Sequence, residues 1–280
     1  MVTRGSAIAP GSSANLGPGF DCLGLAVELR CRVTAIPADE WVVEELGTVF
    51  EPKSTDFVRM AVDDVVGRPM RLIIDNEVPR SRGLGSSSAV MVAAAAAAQR
   101  ALGREPSSKA LYELVAGIEG HGDNAAAAVY GGLVAVAEGV WRRLELSPNL
   151  SFVFGIPNES LKTAKARRAL PDQLSRQAAA SSVARVAFLI EGLRTGDPEA
   201  LARAGGDEIH EHHRSQLSPI TAELMTVAIE AGALHAAWSG AGPTAIAVAV
   251  DPEPVVAAMK ETLGDRGIAT VLEVAETGWS

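Results

Sequence analysis

The sequence predicts an α+β protein with two lobes that share a cleft. Patterns typical of strands and helices alternate along the chain, but they lack the regular repeat of a barrel. The chain has 280 residues, enough for one large domain or two modest ones, and 48% of its residues are hydrophobic, enough for a sizeable core. We therefore expect an N-terminal lobe over residues 1–147 and a C-terminal lobe over residues 148–280.

The N-terminal lobe is expected to contain several strands and two long helices. Alternating apolar side chains predict strands at residues 27–36, 41–46, 72–76 and 132–137. A helix rich in alanine is predicted to begin near Ser87 and to end at Gly103. A second helix is predicted from about Ser107 to Glu119, where Gly120 ends it, because glycine readily takes the left-handed conformation found after helices.

The C-terminal lobe is expected to mix short strands with helices. Apolar runs predict strands at residues 151–157, 236–238, 244–250 and 270–274. Helical patterns are expected at residues 161–169, 178–192, 198–205, 222–231 and 254–263. Neither lobe contains an internal repeat.

Charge and cysteine content disfavour several classes of function. A formal net charge of −9 argues against a nucleic-acid partner. Cys22 and Cys31 lack the CxxC spacing of metal and redox sites, so we expect two free thiols in a reducing compartment. The first residues lack the apolar stretch of a secretory signal, and the longest apolar run, residues 89–98, is too short to cross a bilayer. We therefore expect a cytoplasmic protein that does not bind membranes.

A turn rich in glycine and serine, GLGSSS at residues 83–88, precedes the alanine-rich helix. The first N–H groups of a helix lack backbone partners and attract anions, and glycines let a phosphate approach the backbone closely. The turn lacks the lysine of a P-loop, the third glycine of a dinucleotide-binding loop and the spacing of a nucleophile elbow. On its own, the turn also fits a helix that is capped by serine.

Two other segments are rich in glycine and hydroxyl side chains. Residues 10–26 read PGSSANLGPGFDCLGLA, and residues 238–244, between two apolar strands, read WSGAGPT. A hairpin explains one such loop in a structural protein. Three in one chain indicate loops that converge on a single ligand.

These three blocks resemble the motifs of the GHMP small-molecule kinases, a family named for galactokinase, homoserine kinase, mevalonate kinase and phosphomevalonate kinase. Three further segments are similar to the same family: IEGHGDNAAAAVYGG at residues 118–132, TAKARRALP at residues 163–171 and IHEHHR at residues 209–214. The blocks follow the family's order, and the similarity is greatest to the members that phosphorylate L-homoserine.

The resemblance implies a fold and a reaction. The N-terminal lobe would be similar to domain 2 of ribosomal protein S5, and the C-terminal lobe would be ferredoxin-like. ATP and Mg²⁺ would bind between the lobes, and the enzyme would transfer a phosphoryl group from ATP to the hydroxyl of L-homoserine, a step in threonine biosynthesis. The resemblance leaves open whether the chain forms a homodimer.

The resemblance also implies which residues bind nucleotide and metal. The residues expected to contact ATP are Pro79, Arg82, Gly83, Leu84, Gly85, Ser86, Ser87, Ser88, Gly240 and Gly242. Magnesium would be bound by Ser87, with Ser86 as the competing choice, and by Glu119. The helix pattern supports Glu119 independently, because a carboxylate in the last turn opposes the helix dipole and benefits from a cation. The alternative is an ordinary surface glutamate.

The substrate side follows from the same resemblance. The residues expected to bind L-homoserine are Asn15, Asp21, His121, Thr163, Arg167 and Arg214. Asp21 would complement the ammonium group, and the two arginines would bind the carboxylate, which matches their planar guanidinium groups. Asn124 and Arg167 are expected to act in catalysis. Because Asn124 cannot take a proton, no side chain is assigned as general base, and Asp123 is the nearby alternative.

Several alternatives stay open at this point. Asp56 stands where the family often has an asparagine that contacts adenine, so the preferred nucleotide base is not fixed. The three histidines of the segment IHEHHR allow a metal site. The simpler interpretation is a helix that lines the substrate site and carries Arg214. A different GHMP kinase, a non-catalytic ligand-binding relative and a hydrolase are the rival functions.

Overall fold

The computed structural model describes residues 3–280, which form two β-sheets with helices packed against them. The strands of the first sheet are β1 (Gly5–Asn15), β2 (Gly19–Pro37), β3 (Val42–Glu45), β4 (Thr48–Phe50), β5 (Met70–Asn76), β6 (Leu133–Ala137) and β7 (Val140–Leu144). Those of the second sheet are β8 (Ser151–Pro157), β9 (His235–Trp238), β10 (Ala245–Ala249) and β11 (Gly267–Val271). The helices are α1 (Phe57–Val66), α2 (Ser86–Ala101), α3 (Ser108–Glu119), α4 (Asp123–Tyr130), α5 (Thr163–Arg168), α6 (Arg176–Thr195), α7 (Pro198–Arg203), α8 (Glu211–Arg214), α9 (Pro219–Glu230) and α10 (Pro252–Leu263).

The first sheet is organised around the long antiparallel pair of β1 and β2. Its strand order is β4-β3-β5-β2-β6-β7, and β1 pairs with β2 off this path. Helix α2 packs across both long strands, and its alanines at residues 93–98 are fully buried. The backbones approach so closely that a Cβ atom on Gly5 would collide with the carbonyl of Ala97. Only small side chains fit where this helix meets the sheet, because protein interiors are close-packed.

The second sheet has the strand order β11-β8-β10-β9, and all of its neighbouring strands are antiparallel. Helices α9 and α10 pack against each other and against this sheet. Their shared core includes Val153, Leu224, Val255 and Met259. This strand order with two packed helices is the ferredoxin-like arrangement that the resemblance to the GHMP kinases implies.

The segment after β11 returns to the first sheet. The Glu28 N–H donates to the carbonyl of Glu273, and the Ala275 N–H donates to the carbonyl of Ala26, at 2.9 and 3.0 Å. The Gly132 N–H donates to the carbonyl of Ala275 at 2.8 Å, so the segment lies between β2 and the residues that precede β6. The end of the chain therefore contributes backbone hydrogen bonds to the first sheet.

The main departure from the predicted elements lies at residues 10–26. We expected a glycine-rich loop there, and this was wrong: β1 continues to Asn15, β2 begins at Gly19, and only residues 16–18 form a turn. Small residues in these strands allow close packing, since a Cβ atom on Gly24 would collide with the carbonyl of Asp123 in α4. Helix α4 itself was not predicted, because it is buried on nearly all sides and shows no amphipathic period.

Two smaller differences concern the ends of elements and one missed helix. The last strand, β11, ends at Val271, a few residues before the predicted range of 270–274 ends. Helix α1 was also missed, because the segment was interpreted as part of a loop around Asp56. Within residues 3–280, no helix combines the length and the apolar character needed to cross a membrane.

Candidate active site

The glycine and serine turn at residues 83–88 leads directly into α2. Gly83 and Gly85 take the left-handed backbone conformation, with φ angles of 76° and 66°, and Gly85 is the N-cap of the helix. Because glycine has no side chain, it cannot cap the free N–H groups of the first turn, and these remain available to an anion. The side chain of Ser87 is exposed, whereas those of Ser86 and Ser88 are buried.

The structure brings the three glycine-rich blocks together. The Ser12 N–H donates to the carbonyl of Leu84 at 2.9 Å, which joins β1 to the turn before α2. The Ser239 hydroxyl donates to the carbonyl of Gly83 at 2.7 Å, which joins the turn to the segment after β9. Asn15 Nδ2 donates to the carbonyl of Gly240 at 2.9 Å, which joins the segment after β9 to the end of β1. Segments from both sheets therefore border one site.

Glu119, the last residue of α3, faces the start of α2. Its carboxylate oxygens accept hydrogen bonds from the hydroxyls of Ser87 and Ser88, at 2.5 and 2.6 Å. Burial raises the pKa of Glu119, and the two serine hydroxyls offset part of this effect. Carboxylate and hydroxyl oxygens are the ligands that a hard cation such as Mg²⁺ prefers, and here the two lie close together. A bound cation would also stabilise the buried negative charge of Glu119. Ser87 and Glu119 therefore fit a metal site.

Asp21 and Arg167 form a bidentate ion pair across the site. The guanidinium of Arg167 donates to both carboxylate oxygens of Asp21, at 2.6 and 3.0 Å. The side chain of Asn15 holds the backbone of Asp21 by accepting its N–H at 3.0 Å. Asn15 and Asp21 both take left-handed conformations, with φ angles of 72° and 54°. Such conformations are strained for residues other than glycine and occur frequently at functional sites.

Arg214 in α8 lies beside the Asp21–Arg167 pair, because both arginines pack against the ring of Phe20. Its side chain is only 2% exposed, and Nη1 donates to His210 Nδ1 at 3.1 Å and to the carbonyl of Gly240 at 3.0 Å. Burial, followed by the nearby charge of Arg167, lowers the pKa of Arg214 to about 10. Its Nε atom is buried without a hydrogen-bond partner among the described residues. An anionic ligand or a water molecule at this position would supply the acceptor that Nε lacks.

His210 is held as a neutral ring. Because arginine can only donate hydrogen bonds, Nδ1 of His210 accepts from Arg214, and Nε2 therefore carries the proton that bonds to the carbonyl of Gly17 at 2.9 Å. Burial lowers the pKa of His210 to about 4, which agrees with the neutral form. This arrangement leaves no ring nitrogen for a metal, so the metal alternative raised by the segment IHEHHR is wrong at His210.

His121, Asp123 and Asn124 form a second polar group at the start of α4. Asp123 is 1% exposed, and its Oδ1 accepts from His121 Nδ1 at 2.7 Å and from the Asn124 N–H at 2.8 Å. The side-chain oxygen of Asn124 accepts from the Ser12 hydroxyl at 2.8 Å. Burial lowers the pKa of His121, but the hydrogen bond and charge of Asp123 outweigh it, so the pKa is raised overall. Side-chain atoms of Asp21, His121 and Asp123 lie within 4.8 Å of one another, which places this group beside the Asp21–Arg167 pair.

The remaining expected site residues lie at the borders of this region. Thr163 is exposed at the start of α5, one helical turn before Arg167. Pro79 and Arg82 are half-buried in the segment before α2, and the carbonyl of Arg82 accepts from the Thr244 N–H at 3.3 Å. Gly242 takes the left-handed conformation, and its N–H donates to the carbonyl of Ser239 at 2.9 Å.

Comparison with known proteins identifies the family of this chain. Residues 54–132 match the N-terminal domain of the GHMP kinases, and residues 189–265 match their C-terminal domain. A homoserine kinase of Moorella thermoacetica is 37% identical, and the match covers 95% of each chain. The chain belongs to the GHMP kinase family. Both the predicted family and the predicted fold class are confirmed.

Further GHMP kinases agree over nearly the whole chain. A homoserine kinase of Thermus thermophilus is 38% identical, with 95% of each chain covered. The crystal structure of homoserine kinase from Cytophaga hutchinsonii superposes with a TM-score of 0.86 at 27% identity, and the match covers 100% of this chain and 98% of that one.

Sequence reasoning missed several residues of this GHMP kinase site. The ring of Phe20 lies against Arg167 and Arg214, and the amide of Asn76 donates to the Ser86 hydroxyl at 3.0 Å. His210 was placed on the same helical face as Arg214, but its hydrogen bond to Arg214 was not predicted. Phe20 stands beside Asp21 in a block that was singled out, but an isolated aromatic residue is more often part of a core, and no local signal revealed its partners.

Proposed function

We propose that this chain is a homoserine kinase, which transfers a phosphoryl group from ATP to the hydroxyl of L-homoserine and forms O-phospho-L-homoserine. One observation supports this above the others. An aspartate and two arginines, Asp21, Arg167 and Arg214, lie together beside a helix start suited to phosphate. A zwitterionic amino acid needs such a combination of charges, whereas an uncharged sugar does not. The relatives that match along almost the whole chain are named homoserine kinases.

The turn before α2 is proposed to hold the triphosphate. The N–H groups of the first helical turn point out of the helix end, and Gly83 and Gly85 let the phosphates approach the backbone. Pro79, Arg82, Gly240 and Gly242 border the same turn and are proposed to complete this pocket.

Ser87 and Glu119 are proposed to hold Mg²⁺. When bound, the metal supplies positive charge that neutralises the phosphate oxygens. The fit rests on the oxygen atoms of the two side chains and on the raised pKa of Glu119. Among residues 3–280, no cationic group lies within hydrogen-bond distance of this carboxylate.

The ammonium and carboxylate groups of L-homoserine are proposed to take the place of the direct contact between Asp21 and Arg167. Asp21 binds the ammonium group, while Arg167 and Arg214 bind the carboxylate. The substrate thereby replaces the direct Asp21–Arg167 contact, and Asp21 and Arg167 each keep a partner of opposite charge. Asn15 keeps the Asp21 backbone in place, and Thr163 borders the pocket from α5.

The hydroxyl end lies towards His121 and Asn124. Asn124 cannot take a proton, and Oδ1 of Asp123 already accepts hydrogen bonds from His121 and from the Asn124 N–H. We therefore assign no side chain as general base. The hydroxyl oxygen forms a bond to the γ-phosphorus, the bond to the β–γ bridging oxygen breaks, ADP leaves, and the hydroxyl proton passes to an oxygen of the transferred phosphoryl group. Asn124 and Arg167 orient the reactants in this scheme.

Purified protein with ATP, Mg²⁺ and a panel of acceptors tests the proposal. The panel contains L-homoserine, L-serine, L-threonine, mevalonate and shikimate, and ADP release is measured. We expect the highest kcat/KM for L-homoserine, with L-serine lower by about 10- to 200-fold because it lacks one methylene. Preference for mevalonate would favour a different GHMP kinase, and no ADP release with any acceptor would favour a non-catalytic relative. The homodimer and the cytoplasmic location stay predictions, and size-exclusion chromatography tests the first.

A further inference from the structure

Phe20 occupies a central position among the charged groups of the site. It lies half-buried near the start of β2, directly before Asp21. The centre of its ring is 5.6 Å from the guanidinium carbon of Arg167 and 5.5 Å from that of Arg214. The ring of His210 lies 5.3 Å away at an angle of 33°.

These distances place both guanidinium groups within the range of cation–π attraction. Two like charges near each other repel, and the charge of Arg167 is one of the effects that lower the pKa of Arg214, after burial. The faces of an aromatic ring carry partial negative charge, so the ring attracts both cations without forming a salt bridge with either. His210 is neutral and adds no third positive charge.

The other contacts of the two arginines differ from each other. Arg167 is held by the carboxylate of Asp21, whereas Arg214 is held by His210 and the carbonyl of Gly240. The Phe20 ring lies beside both guanidinium groups, and the charge of Asp21 also acts on both.

We propose that Phe20 is a positioning residue, whose ring holds the guanidinium groups of Arg167 and Arg214 within reach of one carboxylate. This inference rests on the function proposed above, in which that carboxylate belongs to L-homoserine. Phe20 acts through the arginines and does not touch the reacting hydroxyl. Its removal therefore weakens binding of the carboxylate and leaves the phosphoryl-transfer step largely unchanged.

Steady-state kinetics of Phe20→Leu with two acceptors test this role. The acceptors are L-homoserine and 3-aminopropan-1-ol, which has the same hydroxyl and amine but no carboxylate. We expect the KM for L-homoserine to rise about 5- to 30-fold, the effect of losing two cation–π contacts, with kcat within about twofold of wild type. The kcat/KM for 3-aminopropan-1-ol is expected to stay unchanged, and Phe20→Tyr, which keeps the ring, is expected to restore a KM close to that of wild type.

The matched control is Phe188→Leu, the same replacement at an exposed position of α6, and it is expected to leave all constants unchanged. If Phe20→Leu does not fold, as judged by its thermal unfolding, Phe20→Met replaces it, because methionine fills space flexibly and has no ring. An equal loss with both acceptors, or an unchanged KM for L-homoserine, overturns the role of Phe20 alone. Wild-type protein that does not phosphorylate L-homoserine overturns the proposed function, and the role of Phe20 with it.

Discussion

Replacement of Glu119 by glutamine is expected to lower activity strongly without lowering the stability of the fold. The carboxylate of Glu119 accepts hydrogen bonds from Ser87 and Ser88 at 2.5 and 2.6 Å, and burial raises its pKa. A glutamine has the same shape, accepts one of these bonds through its oxygen and donates to the other hydroxyl oxygen through its amide. It also removes a buried negative charge. We therefore expect the free energy of unfolding of Glu119→Gln, without metal, to be equal to or greater than that of wild type near neutral pH.

The effect on activity is expected to be much larger. If Ser87 and Glu119 hold Mg²⁺, the substitution removes one negative charge next to the cation. Counting a single unit of charge on the cation, about 4 Å away at an effective dielectric constant of about 20, this interaction is worth about 4 kcal/mol. Such a loss corresponds to about a 10³-fold decrease in affinity for the metal or in turnover.

Two measurements check this prediction. ADP release with L-homoserine is measured over a range of Mg²⁺ concentrations, and thermal unfolding is measured with and without Mg²⁺ and ADP. The matched control is Glu113→Gln on the same helix, where the carboxylate is exposed and lies 3.8 Å from Lys109 Nζ. We expect this control to keep wild-type kinetics, because exposed ion pairs contribute little.

Two results would refute the reasoning. Wild-type turnover and Mg²⁺ dependence in Glu119→Gln would show that another group holds the metal. A marked fall in unfolding temperature without metal would show that the negative charge of Glu119 is needed for the fold instead.

Three further substitutions probe other parts of the molecule. We expect Arg167→Lys to raise the KM for L-homoserine about 10- to 100-fold, since lysine cannot form a two-pronged contact, whereas the exposed neighbour Arg168→Lys leaves it unchanged. Gly83→Ala is expected to lose more stability in urea unfolding than Gly103→Ala. Both positions have left-handed φ angles, 76° and 71°, but a Cβ atom at Gly83 meets the backbone of the glycine turn after β9, whereas at Gly103 it meets open space. A similar loss at both would exclude the collision as a cause. The pKa of Glu211 is raised from 4.5 to about 8, mainly by burial. The folded state therefore binds the carboxyl proton of Glu211 more tightly than the unfolded state does. Stability is therefore lost as pH rises from about 4.5 to 8, and Glu211→Gln is expected to flatten this decline in urea unfolding between pH 5 and 8. An unchanged slope would contradict the assignment.

The parts of the site that could be predicted are those with local signals. The turn at residues 83–88 is contiguous in sequence, and its glycines before a helix indicate anion binding. Glu119 could be found because a carboxylate in the last turn of a helix is unfavourable without a cation. The structure joins the two through the Ser87 hydroxyl, as the metal hypothesis requires.

Other parts depend on contacts between distant segments. The ring of Phe20 contacts two arginines from the second half of the chain, and no periodicity around Phe20 signals this. The role of His210 follows from the carbonyl of Gly17 and from Arg214, of which only the latter is near in sequence. Residues 10–26 were interpreted as a loop because the segment is rich in glycine and proline, which are depleted in strands. In the structure, the small side chains of these strands let α2 and α4 pack closely against the sheet.

The return of residues 273–280 to the first sheet has a consequence for synthesis in the cell. The backbone groups of Ala26, Glu28 and Gly132 receive partners that leave the ribosome long after the first sheet has emerged. Until then these strands expose open backbone groups that can pair with other nascent chains. A fragment ending at residue 147 would keep that exposed state permanently, so we expect it to aggregate when expressed alone.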